Sequence, residues 1–277
     1  MSGARESIYR WFRSRVPAPI RRALKALPGA GEMAERSRPR GSLWLPVRLA
    51  PGIELPMLLP EAFHWISYEG YEPEPVNWLT QHLKAGSACL DVGGHIGVYT
   101  LLMAELTGVG GSVHAFEPYA PNIEVLRQNV DRNGLAQRVT LVQAAVDSED
   151  GGSVDLFAGD GTSEASLYEA DSRPARWEVP RVSLDAYLRR VGVRQVHFIK
   201  MDVEGAEEQA LRGGESMLRE SSPDILLEVH GYGGVGAVRF LEELGYAVAL
   251  LSGDPTTSDA LENRVQQVIA QKRVSEP

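Results

Sequence analysis

One stretch, CLDVGGHIGVYT at residues 89–100, constrains this chain more than any other, because strand, glycine turn and helix start follow without a break. Apolar residues run up to Asp91, glycines follow at Gly93, Gly94 and Gly97, and an apolar helical pattern takes over. Further on, VHAFEP at residues 113–118 closes a second strand on Glu117, twenty residues beyond Gly97. At that spacing a carboxylate at the tip of the second strand can accept hydrogen bonds from both ribose hydroxyls of an adenosine. The two segments together predict a nucleotide pocket.

The kind of nucleotide follows from the glycines. A dinucleotide fold reads G-x-G-x-x-G so that backbone can approach a pyrophosphate, and here the middle glycine of that spacing is His95. Asp91, inside the turn, repels a pyrophosphate but suits a ligand with an ammonium and a sulfonium, which describes S-adenosylmethionine. Asp91, Gly93, His95, Gly97 and Glu117 are therefore the expected cofactor residues. Asp147, at the end of the third strand, is placed to meet the adenine amino group, with an acidic turn residue as the plainer alternative.

Length and charge bound the rest. With 277 residues and 43% hydrophobic content the chain can bury one large α/β core. The single cysteine, Cys89, rules out an internal disulfide and a multi-cysteine metal site, in keeping with a reducing, cytoplasmic setting. Residues 1–42 hold ten Lys or Arg and three Asp or Glu, a net of +7 against −9 for the whole, so the remainder carries −16. Such a core repels phosphate, and no nucleic-acid partner is expected. Residues 5–27 place apolar side chains at helical spacing among arginines, a pattern suited to an anionic membrane surface or to an acidic partner. Residues 1–42 thus read as a basic tail and linker, and 43–277 as one catalytic domain. No apolar run approaches a membrane span.

From residue 88 onward strands and helices alternate, predicting an α/β fold with a doubly wound, mostly parallel seven-stranded sheet. The pattern predicts a hairpin over 43–59 and a helix over 74–83. The third strand is expected to run unbroken over 139–146, and helices to cover 207–218 and 235–244. Segments 153–159 and 176–182 are expected to pair outside the main alternation, and 231–236 reads as a glycine-rich turn.

Several separated motifs, DVGGHIG (91–97), FEP (116–118), NIEVLRQN (122–129), VSLD (182–185) and IKMDVEGAE (199–207), resemble the FkbM-type family of S-adenosylmethionine-dependent methyltransferases. The match covers roughly residues 70–250 and departs at Gly94 and His95, where the family's loop carries Ala and Asn. The resemblance implies the class I, Rossmann-like methyltransferase fold and an O-methyltransferase; the composition of the expected acceptor walls suits a hydroxylated small molecule, a sugar or glycan, or a polyketide-type natural product.

Methyl transfer to a hydroxyl needs donor and acceptor held in line, and the acceptor's proton removed or its oxygen bound by a metal. In an open α/β sheet the place to look is the carboxyl ends of the strands. Asp202 ends the fourth strand, and Glu228 and His230 share one face of the fifth. His230 is the first choice for general base. Asp202 is a second base or a hydroxyl-binding group, and Lys200 and Glu204 have weaker claims, Glu204 reading equally as a helix cap. Asp202, Glu228 and His230 together would suit a divalent ion, but their spacing matches no established ligand motif, so a divalent metal stands as an open alternative that is not favoured. Tyr68, Tyr71, Ser163, Ser166 and Trp177 are expected to line the acceptor site. The competing readings are a nicotinamide-dependent oxidoreductase, which wants a glycine at position 95, and a non-catalytic adenosine-ligand binder recruited through its tail.

Overall fold

The computed structural model describes residues 41–158, 166–167, 175–261 and 265–272. The basic segment 5–27 and Ser163 lie outside the described residues, as do most of residues 159–174. No helix among the described residues is long and apolar enough to cross a membrane.

The described residues fall into two compact units, one holding residues up to Val47 with Pro56–Gly70, the other Arg48–Leu55 and Tyr71 onward. Strands β1 (Leu43–Ala50) and β2 (Ile53–Leu59) form the expected hairpin. In the first unit Leu45, Val47, Met57 and Leu59 are buried, and the short helix α1 (Ile66–Glu69) follows. His64 donates to the Leu59 carbonyl there, at 3.0 Å.

The second unit begins with α2 (Pro73–His82) and then alternates: β3 (Ala88–Val92), α3 (Val98–Thr107), β4 (Ser112–Phe116), α4 (Ala120–Arg132) and β5 (Val139–Val142). After an excursion described below come β9 (Phe198–Met201), two short helices, β10 (Asp224–Val229), α8 (Gly231–Glu243), β11 (Tyr246–Leu250), β12 (Pro255–Thr256) and β13 (Gln266–Lys272). The main sheet has the order β12-β11-β13-β10-β9-β3-β4-β5. Strands β10, β9, β3, β4 and β5 are mutually parallel, and β13 is inserted antiparallel between β10 and β11. The expected seven strands are thus present, with β12 as a two-residue addition at the edge. Chain order reverses between β3 and β9, and the carboxyl ends of those strands are where such a sheet holds its ligand. Both faces are covered, so the inner strands are mostly apolar, with Asp91, Lys200 and Glu228 among the charged exceptions. Leu90, Val92, Ile199, Met201, Ile225, Leu227 and Val229 pack in one core with Leu211, Leu218, Ala237 and Leu241 from the helices.

Three expected elements differ from the structure. The third strand breaks: β5 stops at Val142, the Ala144 amide turns back to the Val142 carbonyl, and β6 (Ala145–Val146) joins a separate sheet. That sheet, ordered β6-β8-β7, contains β7 (Ser153–Ala158) and β8 (Ala175–Val182), which pair antiparallel as the sequence suggests. The helix expected over 207–218 is two, α6 (Glu207–Arg212) and α7 (Glu215–Ser221), divided at Gly213 and Gly214. A Cβ at Gly213 would lie 2.0 Å from the Asp147 carbonyl oxygen, so backbone approaches backbone where a continuous helix would carry a side chain. The VSLD motif organises this region. Ser183 caps α5 (Leu184–Val191), and the Asp185 carboxylate accepts from the Ser216 and Met217 amides at the start of α7, both at 2.9 Å.

The third difference concerns the glycines after His230. They are not a turn but the first turns of α8. A Cβ at Gly233 would stand 1.8 Å from the Gly205 carbonyl oxygen, and one at Gly236 would stand 2.0 Å from the Glu208 carboxylate. The glycines serve close packing of α8 on the segment that follows β9.

Candidate functional site

The glycine turn after β3 is tied to the end of β4. The Gly93 and Gly94 amides both donate to the Phe116 carbonyl, at 3.0 and 2.9 Å. Gly93 takes φ +85° and Gly97 φ +98°, and a Cβ at Gly97 would meet Leu126 at 2.3 Å, so the helix start sits flush on α4. His95 also adopts a left-handed backbone, at φ 49°, although it is not glycine. Its amide donates to Glu117 Oε2 at 2.8 Å, and the Tyr119 amide donates to Glu117 Oε1 at 2.9 Å.

Glu117 is buried, and that burial pushes its carboxyl up to about 7 against the bonds from Tyr119, His95 and Asn122. A carboxylate offers roughly four lone-pair sites and three protein donors already use it, so a ribose must share or replace one of them. Asp91 is fully buried at the end of β3. Thr100 donates to its Oδ2, while Oδ1 accepts no hydrogen bond among the described residues. Burial raises its carboxyl, opposed by the nearby Lys200 charge. An unsatisfied buried acceptor beside the turn fits a ligand with a cationic group. Asp147 stands apart: it lies on the three-stranded sheet, its Oδ1 accepts from the Ser148 amide at 2.6 Å, and its Oδ2 pairs with Arg181 at 3.6 Å. Both oxygens are engaged away from the main sheet, because the strand expected to carry it there has changed sheets.

The ends of β9 and β10 bring the expected catalytic residues together. His230 Nε2 lies 3.2 Å from Asp202 Oδ1 and 3.6 Å from Glu228 Oε1. Lys200 Nζ, with the residue only 6% exposed, reaches Asp202 Oδ2 at 3.4 Å and donates to the Gly93 carbonyl at 3.2 Å. A single ammonium therefore links the glycine turn to the acidic cluster. Glu204, in a left-handed conformation at φ 54°, does not cap a helix. Its carboxylate faces His230 Nδ1 at 3.8 Å, and the Gly205 amide is satisfied instead by Glu207.

Four groups that sequence reasoning passed over also belong here. Glu72, left-handed at φ 37° just before α2, accepts from the Tyr99 hydroxyl and from Gln267 Nε2 at 2.9 Å. Gln267 faces Glu228 across the antiparallel β10–β13 pair and donates to its Oε2 at 3.2 Å. Lys200 lies 5.2 Å from the centre of the Tyr99 ring. Glu207 is buried beneath, its carboxyl pushed up to about 7 by that burial. Among the residues expected to line an acceptor, Tyr71 packs edge-on to Tyr99 at 5.8 Å. Ser166 is buried and donates to the Glu204 carbonyl at 2.7 Å, and Trp177 is half-exposed against Tyr119. The Tyr68 side chain and Ser163 lie outside the described residues. The remaining histidines in this unit are structural: His82 bonds the Trp78 carbonyl, His114 the Tyr187 hydroxyl, and His197 accepts from the Ala88 amide.

Charge sets what these groups can do. Burial alone would lower His230, but the Asp202 hydrogen bond and the charges of Asp202, Glu204 and Glu207 push it up to about 9. Burial alone would raise Asp202, but Lys200 and His230 hold it well below the usual carboxylate range. Glu228 is raised by burial and by Asp202. Lys200 is raised because four carboxylates outweigh its burial. The carboxylates around His230 therefore favour its protonated form, and a role as base or as ligand requires that proton to leave first. A histidine raised in this way contributes stability that is complete below about pH 6.5 and is lost as pH rises through about 9. In metal-free protein the His230 ring resonances should titrate with a midpoint near 9; a midpoint at or below 6.5 would mean that the Asp202 contact is not made.

The chain is similar to several known proteins. The family model described as Methyltransferase FkbM domain matches residues 91–248, from the end of β3 into β11. The 31-O-demethyl-FK506 methyltransferase FkbM of Streptomyces tacrolimicus is 29% identical over 202 residues, covering 62% of this chain and 73% of that protein. Methyltransferase 1 of Beauveria bassiana is 26% identical over 185 residues, covering 59% and 74%. A crystal structure of a methyltransferase FkbM from Methylobacillus flagellatus aligns with a TM-score of 0.45 at 18% identity, over 67% of this chain and 44% of that one.

Proposed function

The chain belongs to the FkbM methyltransferase family, and from that premise we propose that it transfers the methyl group of S-adenosylmethionine to a hydroxyl oxygen of a small molecule, sugar or polyketide. The observation that carries this reading is the convergence of Asp202, Glu228 and His230 at the carboxyl ends of β9 and β10, joined to the glycine turn through Lys200. The cofactor supplies a methyl group already activated by a sulfonium, so the chain has mainly to align donor and acceptor. Asp91 and the turn at Gly93 would hold its methionine end, and Glu117 its ribose. The carboxylates around His230 would orient the acceptor hydroxyl. An oxygen acceptor is supported by the Streptomyces relative, whose name describes a 31-O-demethyl substrate.

The test is calorimetric titration with S-adenosylhomocysteine and, separately, with NAD, followed by a screen of hydroxylated acceptors with radiolabelled S-adenosylmethionine. S-adenosylhomocysteine should bind and NAD should not. Glu117→Ala should weaken that binding by about tenfold or more, since a hydrogen bond to a charged group is worth about 1.5–3 kcal/mol. Binding of NAD alone would overturn the reading.

A further inference from the structure

Asp202, Glu228 and His230 each offer one donor atom, and the three atoms lie within 4.8 Å of one another. The imidazole Nε2 is 3.2 Å from Asp202 Oδ1 and 3.6 Å from Glu228 Oε1, close to the spacing of about 3 Å between adjacent ligands of a six-coordinate ion with bonds near 2.1 Å. From this geometry we propose that the three residues bind a divalent cation. Two carboxylates balance the ion's charge, and an imidazole beside them suits Mn²⁺ or a similar first-row ion better than Ca²⁺.

A second, independent feature is the layer outside those atoms. Each of the three side chains has its remaining polar atom facing a different neighbour, through a hydrogen bond for Asp202 and Glu228 and an ionic contact for His230. Asp202 Oδ2 faces Lys200 Nζ at 3.4 Å, Glu228 Oε2 accepts from Gln267 at 3.2 Å, and His230 Nδ1 faces the Glu204 carboxylate at 3.8 Å. Gln267 is in turn anchored by Glu72. Metal-binding histidines and carboxylates are characteristically oriented by such outer partners, with a carboxylate on the far nitrogen of the histidine. A surface acidic patch has no reason to fix all three orientations at once.

The ion's role rests on the methyl-transfer reading, although its binding does not. A hydroxyl bound to a divalent cation loses its proton far more readily, which is what an acceptor oxygen needs before it attacks the methyl carbon. The acceptor forms a new C–O bond, its proton passes to solvent, and the C–S bond breaks with its electrons returning to sulfur.

Full-length chain stripped with EDTA would be titrated with Mn²⁺, following the free-ion signal by electron paramagnetic resonance, with S-adenosylhomocysteine titrated calorimetrically into the same samples. One Mn²⁺ per chain is expected. Glu228→Gln, which removes a ligand charge, should weaken it by more than tenfold, and Gln267→Leu, which removes only an outer bond, by about tenfold. Absence of stoichiometric Mn²⁺ binding in chain that binds S-adenosylhomocysteine overturns the site. So does Mn²⁺ binding that neither variant changes. Binding that Glu228→Gln abolishes supports the site even where S-adenosylhomocysteine fails to bind, in which case it is the methyl-transfer reading that falls.

Discussion

Asp202→Asn should lower methyl transfer by about 10²- to 10⁴-fold, the range lost when a group that handles a proton or orients the reacting oxygen is removed. Affinity for S-adenosylhomocysteine should stay near that of the parent chain. The amide keeps the size of the carboxylate, and the backbone bond from the residue 202 amide to the Val92 carbonyl is untouched. What changes is charge. Lys200 and His230 both lose the partner that lies 3.4 and 3.2 Å away. The same substitution should move the His230 midpoint down from about 9 toward 6.5, because the Asp202 hydrogen bond and charge lead the causes that raise it. Two readouts then move for one reason. A fall in turnover with the His230 midpoint unmoved would show that Asp202 acts on the acceptor without holding the imidazole, and a chain unchanged in both would remove Asp202 from the site.

The sheet was legible because its signals are local. A parallel strand buried on both faces reads as a mostly apolar run, and those of β3, β4 and β9 stop at Gly93, Glu117 and Asp202. The site was legible only where it lies at strand ends. Asp202, Glu228 and His230 could be named from strand position, yet Gln267 could not, since it meets Glu228 through a pairing 39 residues distant in the chain. Glu72 is further still, 195 residues from the Gln267 that bonds it. The glycines at 233, 234 and 236 misled for a different reason. They signal close approach as readily as a turn, and sequence does not say what approaches. The place of Asp147, after β6 and beside Arg181, follows from a break in the third strand that the apolar run 139–146 does not announce. The upward shift of His230 was equally hidden, because Glu204 and the more distant Glu207 add to the Asp202 contact that raises it.

Gly93→Ala should cost more than about 4 kcal/mol, a loss reserved for severe and specific damage, and lower the melting temperature by about 8–16 °C in a chain of this size. The new Cβ would lie 1.8 Å from the Asp202 carbonyl oxygen and 2.9 Å from its carbon. Backbone, not a flexible side chain, stands in the way, so β3 and β9 must part at the Val92–Met201 register to admit one methyl group. The positive φ adds left-handed strain of about 1–2 kcal/mol. Gly134→Ala separates the two contributions: Gly134 has φ +67° but nothing within 4 Å of its would-be Cβ, so it should show the strain alone. Thermal unfolding of both variants decides the matter. If Gly93→Ala is no worse than Gly134→Ala, the glycine turn does not touch the segment at Asp202, and the turn and the acidic cluster lose the contact that joins them. If it is much worse, the same close approach that forbids a side chain at 93 is what brings the glycine turn against Asp202 and the groups around it.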